Sequence, residues 1–160
     1  FLENEILYGR SGEVPDDPEY LVPLGRAKVV RPGTDVTVCA FSIMVEKALA
    51  AAETLAAEDI DVEVIDLRTL RPLDTATLVD SVKRTNRLIS VEEGWPVAGI
   101  GAELAAVMME QAFDWLDAPV VRVTGVDVPL PYAANLEALA LPQAETIAVA
   151  VRRMLGRERG

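Results

Sequence analysis

Residues 87–101 read R-L-I-S-V-E-E-G-W-P-V-A-G-I-G, and this stretch carries the clearest secondary-structure pattern of the chain. The apolar run from Leu88 to Val91 is closed by glycine and proline, which is typical of a buried strand in a parallel sheet. Apolar residues at helical spacing begin at Ile100, after the glycine turn. The stretch therefore predicts a strand, a turn and a helix, which together form half of a βαβ unit.

The turn after this strand carries Glu92, Glu93 and Trp95. In open parallel sheets the carboxyl ends of the strands face the crevice where ligands or partners bind. We therefore expect these three residues at the functional edge of the sheet. The alternative is that the two acids are solvated loop charges and that Trp95 is a packing residue.

Four further apolar segments predict strands, and helical patterns follow most of them along the chain. These strands are expected at residues 27–30, 36–41, 62–67 and 119–123. Only a tight turn joins the first two, so they must run antiparallel or not pair directly. Ser42 and Asp74 precede helical patterns and are predicted to cap them. The sequence thus predicts an α/β fold, a three-layer αβα domain around a mostly parallel five-stranded sheet.

Residues 1–24 lack the pattern of a domain. Their glycines and prolines, with four acids between Glu13 and Glu19, indicate an extended connector. We therefore divide the chain into an interdomain arm, residues 1–24, and one domain, residues 25–160. The chain begins with Phe1 rather than methionine, and we expect an upstream part to be missing.

The composition argues against several classes of function. With 26 acidic and 15 basic residues, the chain carries a net charge of −11, which argues against a nucleic-acid surface. No apolar run approaches the roughly 18 residues of a membrane span, so we expect neither nucleic acid nor membrane as a partner. Histidine is absent, which removes the commonest general base and zinc ligand. Cys39 lies in an apolar segment and is predicted to be a buried structural thiol.

Two clusters resemble ligand sites but fall short of them. Gly99 and Gly101 follow a strand, yet Leu104 stands where the dinucleotide fingerprint needs its third glycine. Arg68 and Arg71 could bind an anion, or form an ion-pair network with the acids of the neighbouring turn. No carboxylate pair or metal-ligand spacing is present, so we predict no catalytic, cofactor-binding or metal-binding residues in this chain.

Several motifs resemble the C-terminal domain of transketolase-like thiamine diphosphate enzymes. They are F-L-E-N-E at residues 1–5, I-D-L-R-T-L-R-P-L-D at 65–74, V-E-E-G-W at 91–95, F-D-W-L-D-A-P at 113–119 and R-V-T-G-V-D-V-P-L-P-Y-A at 122–133. The last stretch is most similar to pyruvate dehydrogenase β subunits. The similarity covers essentially the whole chain, and it implies a transketolase C-terminal-like fold whose first strand is antiparallel.

The resemblance implies a part in a larger oxidoreductase. In the family, an upstream domain of the β subunit and a separate α subunit hold thiamine diphosphate and magnesium. This chain alone is therefore expected to bind neither and to be inactive. The parent enzyme decarboxylates pyruvate and reductively acetylates the lipoyl groups of an acyltransferase core. It would reside in the bacterial cytoplasm or in the mitochondrial matrix.

The resemblance also implies contact residues. The subunit-binding domain of the dihydrolipoyl acyltransferase would place a basic residue on Asp117, just after a helix predicted to end near residues 114–117, with Asp114 as a second contact. Contacts with the α subunit and a second β subunit would fall on two loops. Their residues are Leu130, Pro131 and Tyr132, and Glu92, Glu93 and Trp95.

Alternatives stay open at this point. Asp117 could pair internally with Arg122, and Tyr132 could pack over the last helix. The parent could be a sibling 2-oxo acid or acetoin dehydrogenase. A stand-alone α/β ligand-binding module is the competing class, although it would need a cofactor loop at a strand end.

Overall fold

The computed structural model describes residues 1–157, and these contain a five-stranded sheet. The strands are β1 (Lys28–Arg31), β2 (Val36–Ala40), β3 (Val62–Asp66), β4 (Leu88–Val91) and β5 (Val121–Val123). The helices are α1 (Met44–Ala56), α2 (Thr75–Thr85), α3 (Ile100–Gln111), α4 (Ala134–Ala140) and α5 (Ala144–Met154). Two short 3₁₀ helices cover Glu5–Gly9 and Phe113–Trp115.

The sheet order is β1-β3-β2-β4-β5. Strands β2 to β5 run parallel, and β1 pairs antiparallel with β3. Parallel strands need a crossover connection, and α1, α2 and α3 connect β2 to β3, β3 to β4 and β4 to β5. The tight turn after β1 does not pair it with β2. The predicted three-layer αβα fold with an antiparallel first strand is therefore confirmed.

The two faces of the sheet are covered by different helices, because successive strand residues point to opposite sides. Val38 and Ile89 pack with the apolar stripes of α1 and α5 on one face. Cys39 and Leu88 pack with α2 and α3 on the other. Cys39 is fully buried, as predicted, and burial raises the pKa of its thiol to about 12. The thiolate that a nucleophile requires is therefore strongly disfavoured.

The second face also buries a polar cluster. The hydroxyl of Thr37 in β2 lies 2.5 Å from the Ser81 hydroxyl and 2.7 Å from that of Thr85. Ser81 donates to the buried carboxylate of Glu63, which also accepts from Arg84 at 2.6 Å. Each of these buried groups has a partner, so the cluster joins α2 to β2 and β3 rather than forming an empty polar site.

One predicted helix boundary is confirmed, and the helices differ from expectation in three other places. Asp74 caps α2 as predicted, since its carboxylate accepts the amide of Thr77 at 3.1 Å. Ser42 does not cap α1, because its backbone is left-handed with φ 55° and the helix begins after Ile43 without a side-chain cap. Helix α3 ends at Gln111, earlier than predicted. Helix α4 was not predicted at all.

Residues 1–24 contain the first 3₁₀ helix and otherwise no helix or strand. The side chain of Arg10 pairs bidentately with Glu46 of α1, with both N–O distances at 2.8 Å. Both partners are exposed, so this contact contributes little stability. The division into an arm and a domain stays a prediction, and residues 158–160 of the predicted domain lie outside the described part.

Candidate assembly surface

The first candidate feature is the loop of residues 92–99, which follows β4 and which we name the Glu92 loop. Glu92 is only 4% exposed. Its carboxylate accepts the backbone amides of Ile100 at 3.1 Å and Gly101 at 2.9 Å. Amides in the first turn of a helix have no partner within the helix, and the helix dipole favours a negative charge there. The interpretation of Glu92 as a solvated charge is therefore wrong.

Gly99 and Gly101 make this approach possible. A Cβ atom on Gly99 would lie 2.6 Å from a Glu92 carboxylate oxygen, and one on Gly101 would lie 2.5 Å from the Ser90 hydroxyl. The glycines thus serve close packing between α3 and its own preceding loop. A phosphate at this helix terminus would meet the Glu92 carboxylate, so the site that dinucleotide-binding folds use is already filled.

The Glu92 loop is bonded to the loop that follows β5. The indole Nε1 of Trp95 donates to the carbonyl of Val128 at 3.0 Å, and the amide of Gly125 donates to the carbonyl of Gly94 at 2.9 Å. Trp95 remains half-exposed. Burial raises the pKa of the neighbouring Glu93 carboxyl, against a hydrogen bond from Asn4 that lowers it. The structure thus brings the two predicted contact loops together.

The loop after β5 and α4 present an exposed apolar surface, which we name the apolar patch. Its members are Val126, Val128, Leu130, Tyr132, Leu136 and Leu139. Tyr132 is fully exposed at 106%, so the alternative that it packs over the last helix is wrong. Pro131 is half-buried and lines a shallow groove with Ala140 and other patch residues. Exposed apolar surface of this kind is typical of interaction sites and ligand-binding grooves.

The second predicted contact region lies at the opposite end of α3. Asp114 is exposed within the 3₁₀ helix, between Phe113 and Trp115, which are also exposed. Asp117 lies 3.3 Å from the guanidinium of Arg87, and its side chain is 57% exposed. We name these four residues, Phe113, Asp114, Trp115 and Asp117, the acidic patch.

Two expectations about Asp117 are wrong. Its internal partner is Arg87 rather than Arg122, whose guanidinium donates to the Pro96 carbonyl at 2.8 Å. Because α3 ends at Gln111, Asp117 does not directly follow that helix as predicted. Its amide instead donates to the carbonyl of Asn86 at 2.9 Å. The segment is therefore held by the turn before β4.

The predicted ion-pair network of the arginines is not formed. Within residues 1–157, Arg68 and Arg71 make no ion pair with Glu92 or Glu93. Glu92 is satisfied by backbone amides instead. Sequence reasoning missed this bond because two adjacent glutamates carry no signal of which one points inward.

Two further features of the described residues concern metal binding and membrane spans. Residues 1–157 contain no grouping of three or more cysteine, aspartate and glutamate side chains that could hold a metal ion. Across the same residues, every helix is too short or too polar to cross a membrane.

The sheet order and the antiparallel edge strand define a three-layer α/β domain with a mixed sheet. The model of the family "Transketolase, C-terminal domain" matches residues 25–147. The chain belongs to this family.

Its relatives include pyruvate dehydrogenase E1 component β subunits. The protein of Rickettsia felis is 56% identical over 154 residues, which are 96% of this chain and 47% of the relative. The mitochondrial protein of Dictyostelium discoideum is 52% identical over 162 residues, or 99% of this chain and 46% of the relative. The chain thus spans about half the length of the curated relatives it matches.

A solved structure shares the fold. A split gene transketolase in an inactive β4 tetramer superposes with a TM-score of 0.75 at 34% identity, covering 91% of this chain and 47% of that one. A 2-oxoglutarate:ferredoxin oxidoreductase from Magnetococcus marinus, at 15% identity and a TM-score of 0.55, shares the fold alone.

Proposed function

We propose that this chain acts as the C-terminal assembly and docking domain of the β subunit of a thiamine diphosphate-dependent pyruvate dehydrogenase component. The parent enzyme would decarboxylate pyruvate and reductively acetylate lipoyl groups of the acyltransferase core. Relatives of that name from bacteria and mitochondria support this proposal. They also support the bacterial cytoplasm or the mitochondrial matrix as its location. The observation that carries it is a pair of exposed surfaces, the apolar patch and the acidic patch.

Thiamine diphosphate and magnesium would bind outside this chain. The residues here do not fit them, since the terminus of α3 that would receive a diphosphate already holds the buried Glu92 carboxylate. Acids that could bind magnesium are not grouped within residues 1–157. This domain would therefore contribute binding surface rather than reacting groups.

The apolar patch would contact the other subunits, namely the α subunit and a second β subunit. The predicted contact residues Leu130, Pro131 and Tyr132 lie in the loop after β5, to which Trp95 of the Glu92 loop donates a hydrogen bond at Val128. Glu92 is buried against α3, so Trp95 and Glu93 remain as the contact residues of that loop. Burial of apolar area at about 25 cal/mol per Å² would drive such a contact. The β4 tetramer of the similar split transketolase supports self-association of β chains.

The acidic patch would dock the subunit-binding domain of the dihydrolipoyl acyltransferase. Exposed aromatic side chains beside Asp114 and Asp117 combine apolar area with negative charge, which suits a basic partner. The net charge of −11 would add long-range attraction. Since Asp117 already pairs with Arg87, an incoming arginine must share or displace that contact.

The docking proposal is tested in the assembled parent enzyme by calorimetric titration with the subunit-binding domain. Asp117→Ala is expected to raise the dissociation constant by about tenfold, roughly 1.4 kcal/mol, because it removes an acid and leaves Arg87 uncompensated. Asp114→Ala should weaken binding by a smaller factor. Glu53→Ala, an exposed acid on α1, is the control and should change nothing.

The same titration can contradict the docking proposal. If Asp117→Ala and Asp114→Ala both leave the dissociation constant within about twofold of wild type, roughly 0.4 kcal/mol, the acidic patch does not dock this partner. If Glu53→Ala weakens binding as much as Asp117→Ala does, the loss of affinity comes from the change in net charge, since distant surface charges act mainly on encounter rates.

A further inference from the structure

The loop of residues 68–74 reads R-T-L-R-P-L-D, and the proposed assembly function gives it no role. Neither of its arginines pairs with the acids of the Glu92 loop within residues 1–157. Its polar side chains instead reach the residues where the arm joins β1. We name this contact region, Gly25 to Ala27, the arm junction.

Two side chains of the 68–74 loop accept backbone amides of the arm junction. The amide of Gly25 donates to the hydroxyl oxygen of Thr69 at 3.0 Å. The amide of Ala27 donates to the carboxylate of Asp74 at 2.9 Å. Thr69 is itself fixed, because its hydroxyl donates to the Pro72 carbonyl at 2.9 Å. These contacts join residues more than forty positions apart in sequence.

The third contact is steric. Gly25 has φ of 72°, in the left-handed region that favours glycine. A Cβ atom at this position would lie 2.9 Å from Cγ of Pro72. The chain can therefore turn at Gly25 and pass directly against the proline ring, which a larger residue would prevent.

Asp74 couples the junction to the helix that follows. One carboxylate oxygen accepts the amide of Thr77 at 3.1 Å, and the other accepts both the Thr77 hydroxyl at 2.8 Å and the Ala27 amide. Asp74 is 5% exposed. A single buried carboxylate thus caps α2 and holds the entry to β1.

We propose that the 68–74 loop is a clamp that sets the direction in which the arm leaves the domain, with Thr69 and Asp74 as its positioning residues. The arm would then be a defined connection rather than a free tether. This role is independent of the contacts proposed for the apolar and acidic patches, because the clamp lies within one chain and needs no partner.

Hydrogen exchange of the chain measures the clamp directly. Asp74→Ser keeps a preferred helix cap for Thr77, but its short side chain cannot also reach the Ala27 amide. The exchange rate of the Ala27 amide should rise about tenfold, while that of the Thr77 amide stays within about twofold. Asp80→Ser, at an exposed position of the same helix, is the matched control and should change neither rate.

The Thr69 contact is tested by a conservative rescue. Thr69→Val removes the hydroxyl at constant shape and should accelerate exchange at the Gly25 amide, whereas Thr69→Ser restores the acceptor and the protection. Unchanged exchange at Gly25 and Ala27 in both damaging variants would overturn the clamp. An equal rise at Ala27 and Thr77 would also overturn it, since Asp74 would then act only as a helix cap.

A spin label on the arm reports whether the arm loses its fixed direction. Val22→Cys places one exposed thiol three residues before Gly25, and the buried Cys39 is protected from labelling. The nitroxide should move faster when Asp74→Ser or Thr69→Val is added than with Asp80→Ser. Identical spectra in all backgrounds would show that the clamp does not position the arm.

Discussion

At the residue scale, Glu92 and Glu93 show how far a local pattern can be interpreted. The two are adjacent and chemically alike, and no periodicity distinguishes them. The structure buries Glu92 against the amides of α3 and leaves Glu93 half-buried. The difference arises from the glycines at 99 and 101, which open space for one carboxylate only.

Glu92→Gln should destabilise the chain by about 1–3 kcal/mol. The amide group keeps one acceptor oxygen, but its NH₂ would face a backbone N–H and leave a buried donor unpaired. Glu93→Gln is the matched control. Because burial raises the pKa of Glu93, its charged form is disfavoured in the folded state at neutral pH, so this substitution should not destabilise.

Urea unfolding of both variants at neutral pH provides the measurement. Equal changes in the free energy of unfolding would remove the special role of Glu92. The Glu93 contribution has a defined sign with pH. A raised pKa in the folded state costs stability as the carboxyl ionises, so any gain from Glu93→Gln should vanish as the pH falls below the usual glutamate range.

At the element scale, α3 is the helix on which packing can be tested most sharply. Gly→Ala in an open helix interior normally stabilises by about 1 kcal/mol. Gly101→Ala should do the opposite and destabilise by about 1–3 kcal/mol, since its Cβ would lie 2.5 Å from the Ser90 hydroxyl and 3.0 Å from Glu92. Urea unfolding of the chain measures the sign.

A second substitution separates the steric effect of the added Cβ atom from the helix propensity of alanine. Ser90→Gly removes the hydroxyl that Gly101→Ala would meet, so the double variant should recover part of the loss. Ser90 is a suitable partner because its hydroxyl is buried without a hydrogen bond within the described residues. Stabilisation by Gly101→Ala alone would contradict the close approach of α3 to β4.

The elements also show what sequence could and could not predict. The strands and the cap of α2 follow from apolar runs and from Asp74, whose effects are local. The end of α3 does not, because Asn86 and Arg87 capture the following segment through bonds that sequence spacing cannot reveal. Helix α4 was missed because prolines precede it, although its Ala, Leu and Glu residues are strong helix formers.

At the scale of the whole molecule, we propose that this chain supplies binding surface rather than catalytic groups. Asp114 and Asp117 are predicted from resemblance alone, whereas the end of the strand at Val91 already places the turn with Trp95 at the functional edge of the sheet. The sequence did not show which of the contact segments lie close to one another. The structure shows that Trp95 and Val128 bring two of them together and that the acidic patch lies apart.

Calorimetric titration of the chain with thiamine diphosphate and magnesium should give only heats of dilution. The expected reason is that α3 presents the Glu92 carboxylate where a diphosphate would bind. The assembled parent enzyme is the positive control. Saturable binding by the chain at micromolar concentration would contradict the proposal that the cofactor is held elsewhere.

Sedimentation velocity of the chain measures whether the apolar patch is a contact surface. The sedimentation coefficient of the wild type should increase with concentration, as a second copy covers the exposed apolar area. The double variant Leu130→Ser, Tyr132→Ser should remain monomeric, while the control Val149→Ser, an exposed apolar position on α5, should associate like wild type. A wild-type chain that stays strictly monomeric at the highest concentration reached would contradict the account.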